Sequence, residues 1–245
     1  MIKVMNRLKE MGVSVVSALI TLGIFSNVFV THAIKENEKN QNELTVSTLA
    51  KDYKLDNLKG LKIETERLII TPTVEEDFDK FAEYLLDKEV TQYLDRSPEI
   101  RKGFETKEKA LEFLKSDSGS SEFLYTFEFT VKLKDSSIPI GKIDLSLFKT
   151  ANSSYKGIAL GYWMGKDYHH KGYLSEAAFE LCNMALNASD ACLLYVATLN
   201  ENTNSIGSAN KLFNAVKEFN KDMELYLKDY KDDEVTQLFL SKFKI

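Results

Sequence analysis

Six apolar residues occupy every second position from Phe123 to Leu133: Phe123, Tyr125, Phe127, Phe129, Val131 and Leu133, with mainly polar neighbours between them. Successive side chains of a strand point to opposite faces, so this pattern is a strand with one buried face. Asp135-Ser136-Ser137 then makes a turn, after which Ile143, Leu145 and Leu147 alternate with Lys142, Asp144 and Ser146. The two segments predict an antiparallel hairpin at the centre of the fold.

Elements on either side of the hairpin fill out a sheet and its covering helices. Glu66-Arg67-Leu68-Ile69-Ile70-Thr71 closes a strand-like run over Leu61–Thr71, stopped by Pro72, which has no N–H for a ladder. Thr73 and Glu76 have capping-box spacing, and Phe78, Phe81, Leu85 and Leu86 fall on one helical face. A second helix is predicted over Thr106–Leu114, with Ala110, Leu111, Phe113 and Leu114 turned inward. Past the hairpin come a strand over Ile158–Met164, a helix over Ser175–Asn187 with an apolar stripe of Ala178, Leu181, Cys182 and Ala185, and a strand over Leu193–Leu199. A helix over Asn202–Phe213 and closing strands over Met223–Tyr230 and Val235–Phe243 complete the order. A mixed α/β sheet with helices on both faces follows from that order.

The segment before this domain is of another kind. Met11–Val30 is a run of 20 uncharged residues, preceded by Lys3, Arg7 and Lys9 and followed by the polar stretch Lys35–Asn42. At about 1.5 Å per residue such a helix matches a hydrocarbon layer of roughly 30 Å. Thr31-His32-Ala33 is also a loose small-x-small cleavage site. Residues 1–33 therefore read as a signal peptide or a membrane anchor, 34–60 as a polar linker and 61–245 as the folded domain. Basic residues ahead of the run favour a cytoplasmic N-terminus, with the domain on the far side.

A net charge of -5 argues against a general nucleic-acid binder, which needs a basic face for phosphates. A small substrate or a protein is the expected partner. Cys182 and Cys192 are too few for a disulfide framework and lack metal-ligand spacing with His32, His169 or His170, so no metal site is expected.

The chemistry is expected in Tyr168-His169-His170-Lys171-Gly172-Tyr173-Leu174-Ser175-Glu176-Ala177, between the strand ending at Met164 and the next helix. Strand, glycine-containing turn, helix is a phosphate-binding layout. A helix's first turn has N–H groups without intrahelical partners and a partial positive charge, and glycine lets that backbone approach a pyrophosphate closely. Lys171 adds either a point charge for the ligand or a solvated surface cation.

Tyr162-Trp163-Met164, the turn His169–Leu174 and Ser175-Glu176-Ala177 together resemble the acetyl-CoA motif of GNAT acetyltransferases, particularly the ribosomal-protein alanine acetyltransferase branch. That motif reads Gln/Arg-x-x-Gly-x-Gly/Ala, usually followed by Thr-Glu-Ala. Here His169, Gly172 and Leu174 stand at its three defining positions, and Gly172 alone fits. Asn202-Thr203-Asn204-Ser205 resembles the family's Asn-x-x-Ser, and Thr65-Glu66-Arg67-Leu68 its Thr-Glu-Arg-Leu start. Leu212-Phe213-Asn214 lacks the glycine of the family's Leu-Gly-Phe, and Leu174 either narrows the cradle or points away from it.

The resemblance implies a GNAT-like, mainly antiparallel mixed sheet and an enzyme moving an acetyl group from acetyl-CoA to an amine of a protein or small molecule. The alternative is a catalytically inactive, membrane-tethered binding module. It further implies that Trp163, Met164, His169, Lys171, Gly172, Tyr173, Leu174, Ser175 and Asn202 contact the co-substrate, with strand N–H groups near Tyr162–Met164 polarising the acetyl carbonyl. Ser205 is implied as proton donor to the departing thiolate; an ordinary helix-capping role stands beside that reading. Asp144 and Glu128 are candidate general bases, while Glu176 is expected to support the turn. A cytoplasmic metabolite as co-substrate implies a cytoplasmic exposure of the domain if it is active.

Overall fold

The computed structural model describes residues 60–94, 98–118, 126–149, 156–189, 191–230 and 235–242. The apolar run at 11–30, the linker to residue 59, and Phe123, Tyr125 and Phe243 lie outside the described residues. Among the described residues no helix is long and apolar enough to cross a membrane.

The chain order is β1 (Ile63–Glu64), β2 (Leu68–Pro72), α1 (Phe78–Leu85), α2 (Lys88–Thr91), α3 (Pro98–Arg101), α4 (Lys107–Ser118), β3 (Thr126–Leu133) and β4 (Pro139–Lys149). There follow β5 (Lys156–Met164), α5 (Tyr173–Ala188), β6 (Leu193–Leu199), α6 (Thr203–Phe219), β7 (Glu224–Tyr230) and β8 (Val235–Ser241). The strands form one sheet of order β1-β2-β3-β4-β5-β6-β8-β7. Among the described residues every pairing is antiparallel except that of β5 with β6. The expected mixed, mainly antiparallel α/β sheet is the observed one.

The β3–β4 hairpin forms as its alternation requires, with Phe129 facing Ile143 and Phe127 facing Leu145. Phe129, Val131, Ile143, Leu145 and Leu147 form one buried face, packed with Ala178, Leu181, Cys182 and Ala185 of α5 and Ala209, Leu212, Phe213 and Val216 of α6. Burying each Leu, Ile, Val or Phe is worth about 1.5–3 kcal/mol, so this face fixes the register: a slip of one residue would turn it outward. The opposite face carries α1 and α4, whose Phe81, Leu85, Ala110 and Leu114 make a second core against Trp163.

Some expected elements are corrected. The run over Leu61–Thr71 is two strands, because Thr65 turns the chain: its N–H donates to the Leu68 carbonyl at 3.0 Å and its Oγ1 accepts from the Leu68 N–H at 2.9 Å. The cap expected between Thr73 and Glu76 is displaced by one residue, the Val74 N–H donating to Asp77 Oδ2 at 3.3 Å. Asp77 is buried, and there it also accepts from the Thr130 hydroxyl at 2.7 Å and pairs with Lys132 at 2.7 Å, which locks the start of α1 onto β3. Leu86, expected on the buried face, lies just past the end of α1 and is exposed. The short helices α2 and α3 lie between the two helices expected from the sequence. The helix expected to end at Phe213 runs on to Phe219, so Leu212-Phe213-Asn214 is helix interior.

Candidate active site

Strands β5 and β6 pair only at Gly157 with Leu193, Ile158 with Leu194 and Ala159 with Tyr195. Beyond these, β5 stays with β4 as far as Met164 opposite Gly141, while β6 stays with β8 as far as Leu199 opposite Val235. The two parallel strands therefore part. Gly141 commits β5 to β4: a Cβ there would overlap Met164 Sδ and sit 2.5 Å from the Trp163 carbonyl oxygen.

Backbone parity tells which groups look into the gap. The Gly165 N–H donates to the Ile140 carbonyl at 2.8 Å. Main-chain groups alternate sides along a strand. Trp163 therefore faces β4, while the N–H and C=O groups of Tyr162 and Met164 face the gap. The Met164 carbonyl accepts from His169 Nε2 at 2.8 Å, which assigns the imidazole proton to Nε2. His169 thus closes one end of the gap, and the Trp163 side chain turns to the other face of the sheet, edge-on to Phe81 at 5.0 Å.

The turn after β5 is built from main chain. His170 (φ 60°) and Gly172 (φ 79°) both adopt the left-handed region, which glycine enters without the Cβ penalty. Gly172 is the N-cap of α5 and offers no side-chain acceptor. The first helical bond runs from the Glu176 N–H to the Gly172 carbonyl at 3.1 Å, so the N–H groups of Tyr173, Leu174 and Ser175 precede the ladder. Leu174 packs against the main core together with Tyr168 and Tyr173, so its bulk does not fill the turn. Lys171 is exposed, with Nζ 5.8 Å from the Tyr168 ring centre.

A side chain not singled out from the sequence holds this turn. Arg67 donates to the Lys171 carbonyl at 3.0 Å and to Glu176 Oε2 at 2.7 Å, and its guanidinium lies 4.6 Å from the centre of the Tyr173 ring. Glu176 also accepts from the Thr65 hydroxyl and from the Arg67 N–H at 3.1 Å. Burial raises the Glu176 carboxyl, but hydrogen bonds from Thr65 and Arg67 outweigh it and hold it below the usual carboxylate range. Glu176 thus supports the turn, as expected. The Thr-Glu-Arg-Leu resemblance was the signal for Arg67, but only the fold brings residues 67 and 171 together.

On the other side of the gap, Asn202 Oδ1 caps α6 by accepting from the Ser205 N–H at 3.1 Å. The capping role is therefore Asn202's, and Ser205 Oγ instead lies 3.0 Å from the Tyr162 hydroxyl. Burial pushes the Tyr162 phenol up to about 12, against the opposing hydrogen bond with Ser205. A cleft of about 210 Å³ reaches these residues and passes through the gap to Asp144, Gly161 and Trp163 on the helix-pair face. There Lys142, 5% exposed, bonds Glu128 at 2.7 Å and lies 3.4 Å from Asp144.

Parted parallel strands, a glycine-led helix N-terminus beside them and a hydroxyl pair in the gap form an α/β site with main-chain donors for an anionic ligand next to groups able to move a proton. Residues 67–212 match the family described as acetyltransferase (GNAT) domain, and the chain belongs to the GNAT acetyltransferase family. It is an acetyl-CoA-dependent N-acyltransferase, moving an acetyl group to an amine. It is 27% identical over 148 residues to an uncharacterized N-acetyltransferase p20 of Bacillus licheniformis, spanning 60% of this chain and 79% of that protein. A GNAT-family acetyltransferase of Bacillus anthracis superposes with a TM-score of 0.52 at 21% identity, covering 74% of this chain and 96% of the other. The RimL ribosomal L7/L12 α-N-protein acetyltransferase in complex with coenzyme A gives 0.55 at 12% identity, covering 74% and 99%. At these identities the two structures establish the fold. The residues present fit acetyl-CoA: the turn at Gly172 is open, its donors are main chain, and Leu174 is packed away from it.

Proposed function

We propose that the gap between β5 and β6 is where an acetyl group passes from acetyl-CoA, on the α5–α6 face, to an amine of a protein or small molecule entering from the α1–α4 face. One observation carries this reading: a single cleft connects Ser205, Asn202 and Tyr162 on the first face with Asp144 and Trp163 on the second. Acetyl-CoA supplies an acetyl group activated as a thioester. The main-chain N–H groups of Tyr162 and Met164 stabilise negative charge developing on the carbonyl oxygen; losing one such donor costs about 10²–10³ in rate. His169 orients the end of β5, and the N–H groups of Tyr173, Leu174 and Ser175, with Lys171 and Gly172, hold the pyrophosphate. Asp144 orients the incoming ammonium and takes its proton, and Ser205 gives a proton to the departing sulfur.

The test is calorimetric titration of acetyl-CoA into the purified protein, followed by thiol release with a panel of amines. Binding and amine-dependent release are expected from the parent. Absence of both would overturn the proposal.

The uncharged run Met11–Val30 supports a membrane-anchored or exported placement, while an acetyl-CoA-dependent reaction supports a domain exposed to the cytoplasm. We propose an anchor with the domain on the cytoplasmic side, against the charge bias of Lys3, Arg7 and Lys9. A fusion of residues 1–60 to a reporter active only outside the cytoplasm should stay silent, and an active reporter would reverse the assignment.

A further inference from the structure

We propose that Tyr162 is a positioning residue for proton delivery: by donating to Ser205 Oγ, its hydroxyl turns the Ser205 proton toward the leaving sulfur and steadies the oxygen as that proton departs. The inference rests on Ser205 being the proton donor. Tyr162 rises from β5 where the strands have parted, and its hydroxyl has two acceptors on one residue, Ser205 Oγ at 3.0 Å and the Ser205 carbonyl at 3.3 Å. A phenol has one proton, so two arrangements exist. If Tyr162 donates to the carbonyl, the serine proton is spent on the phenol oxygen and points away from the cleft. If Tyr162 donates to Oγ, the serine proton is released into the cleft that both residues line. The 3.0 Å hydroxyl contact can be made in either arrangement, and the carbonyl contact peculiar to the first, at 3.3 Å, is longer than an ordinary O–H···O bond, so the first gains little from it and the second is the one we assign.

The surroundings keep this arrangement in place. Ser205 cannot drift, because its N–H is held by Asn202 at 3.1 Å on the first turn of α6. Tyr162 packs against the main core and burial keeps its phenol protonated across the neutral range, so it remains a donor while acceptor amines lose their protons. In the step itself the thioester C–S bond breaks with its electron pair on sulfur, and the amine lone pair forms the new C–N bond. Ser205 gives its proton to sulfur and recovers one from water, and the surplus proton on nitrogen leaves through Asp144 to solvent. Nothing is oxidised or reduced. Through this step Tyr162 donates a hydrogen bond to an oxygen that becomes more negative, and such bonds to charged oxygen are stronger than neutral ones.

The experiment compares Tyr162→Phe, Ser205→Ala and the double variant, with acetyl-CoA binding by calorimetry as the check on folding. Tyr162→Phe should lower kcat about tenfold, the size of one hydrogen bond, with the KM for acetyl-CoA unchanged. Ser205→Ala should lower it further, and the double variant should match Ser205→Ala alone. An undiminished kcat in Tyr162→Phe, or effects that multiply in the double variant, would overturn the inference. A parental kcat in Ser205→Ala would instead remove the proton-donor reading beneath it. If Tyr162→Phe does not fold, difluorotyrosine at 162 keeps the ring and hydroxyl while making the phenol more acidic. The basic limb of kcat should then move to lower pH, and an unmoved limb would overturn the inference.

Discussion

The two sides of the gap between β5 and β6 are built from different materials. On the proposed co-substrate side the groups are mostly main chain, namely N–H groups of the α5 first turn, the Tyr162 and Met164 peptide groups and a glycine with φ 79°, joined by the Ser205 and Tyr162 hydroxyls. Side chains there brace the backbone, as Arg67 does by holding the Lys171 carbonyl at 3.0 Å. On the proposed acceptor side the polar groups are side chains from different strands, Glu128 of β3 with Lys142 and Asp144 of β4, and the cleft there is also lined by Tyr93, Phe113 and Trp163. A main-chain site suits a ligand shared by many enzymes, whereas a side-chain site is free to change with the acceptor. Mutations should therefore separate the two sides cleanly.

The largest expected effect is on the co-substrate side. Gly172→Trp places a bulky residue in the left-handed region, costing about 1–2 kcal/mol in backbone strain alone, and drives its side chain toward Arg67, 3.5 Å from the nearest Cβ position. Calorimetry should show no acetyl-CoA binding, and a parental titration curve would break the assignment of this turn. Next is Lys142→Ala, which removes the ammonium that Glu128 and Asp144 share across the β3–β4 pair. Breaking a buried pair costs about 3–5 kcal/mol. Because the Glu128 and Asp144 side chains are 16% and 25% exposed, the lower end applies, a fall in melting temperature of roughly 6–12 °C. Acetyl-CoA affinity in the surviving fold should be unchanged, and a weakened affinity would show that the sides are not independent.

What the sequence made legible follows the same division. The β3–β4 alternation, the glycine turn and the Asn-x-x-Ser segment are local patterns, and local patterns place the sheet, the α5 N-terminus and Ser205. The role of Tyr162 was not legible, because the 43 residues separating it from Ser205 are bridged only once β5 and α6 stand on either side of the gap. The same holds for Arg67, which meets Glu176 across 109 positions of chain. The break at Thr65 was missed because apolar residues on both sides of it share one strand-like period. Leu174, which breaks the family's small-residue pattern, is explained by packing: its half-buried side chain lies against the core, and only its backbone N–H is left to the turn.

A smaller effect sharpens the comparison further. Arg67→Ala should raise the KM for acetyl-CoA about three- to tenfold while kcat is retained, since the guanidinium shapes the turn without reaching the gap. A loss of kcat at unchanged KM would place Arg67 in the chemistry instead.

The smallest effect separates the brace from the ligand it serves. The Glu176 carboxyl is held below its reference value of 4.5, so its ionised form is favoured by folding. A depressed acid contributes stability above its unfolded pKa and loses it as pH falls through the folded one. Glu176→Gln should therefore melt below the parent at pH 7, and the two curves should converge as pH drops under 4.5. With the Arg67 side chain 43% exposed, solvent screening limits the difference to about 1 kcal/mol or less, roughly 2–4 °C at most. Saturating acetyl-CoA should stabilise both proteins, and by less in the variant, because part of the binding free energy is then used to order the turn that Arg67 and Glu176 otherwise hold. Equal stabilisation would mean that the turn keeps its shape without the brace, and would confine Arg67 and Glu176 to linking β2 with α5.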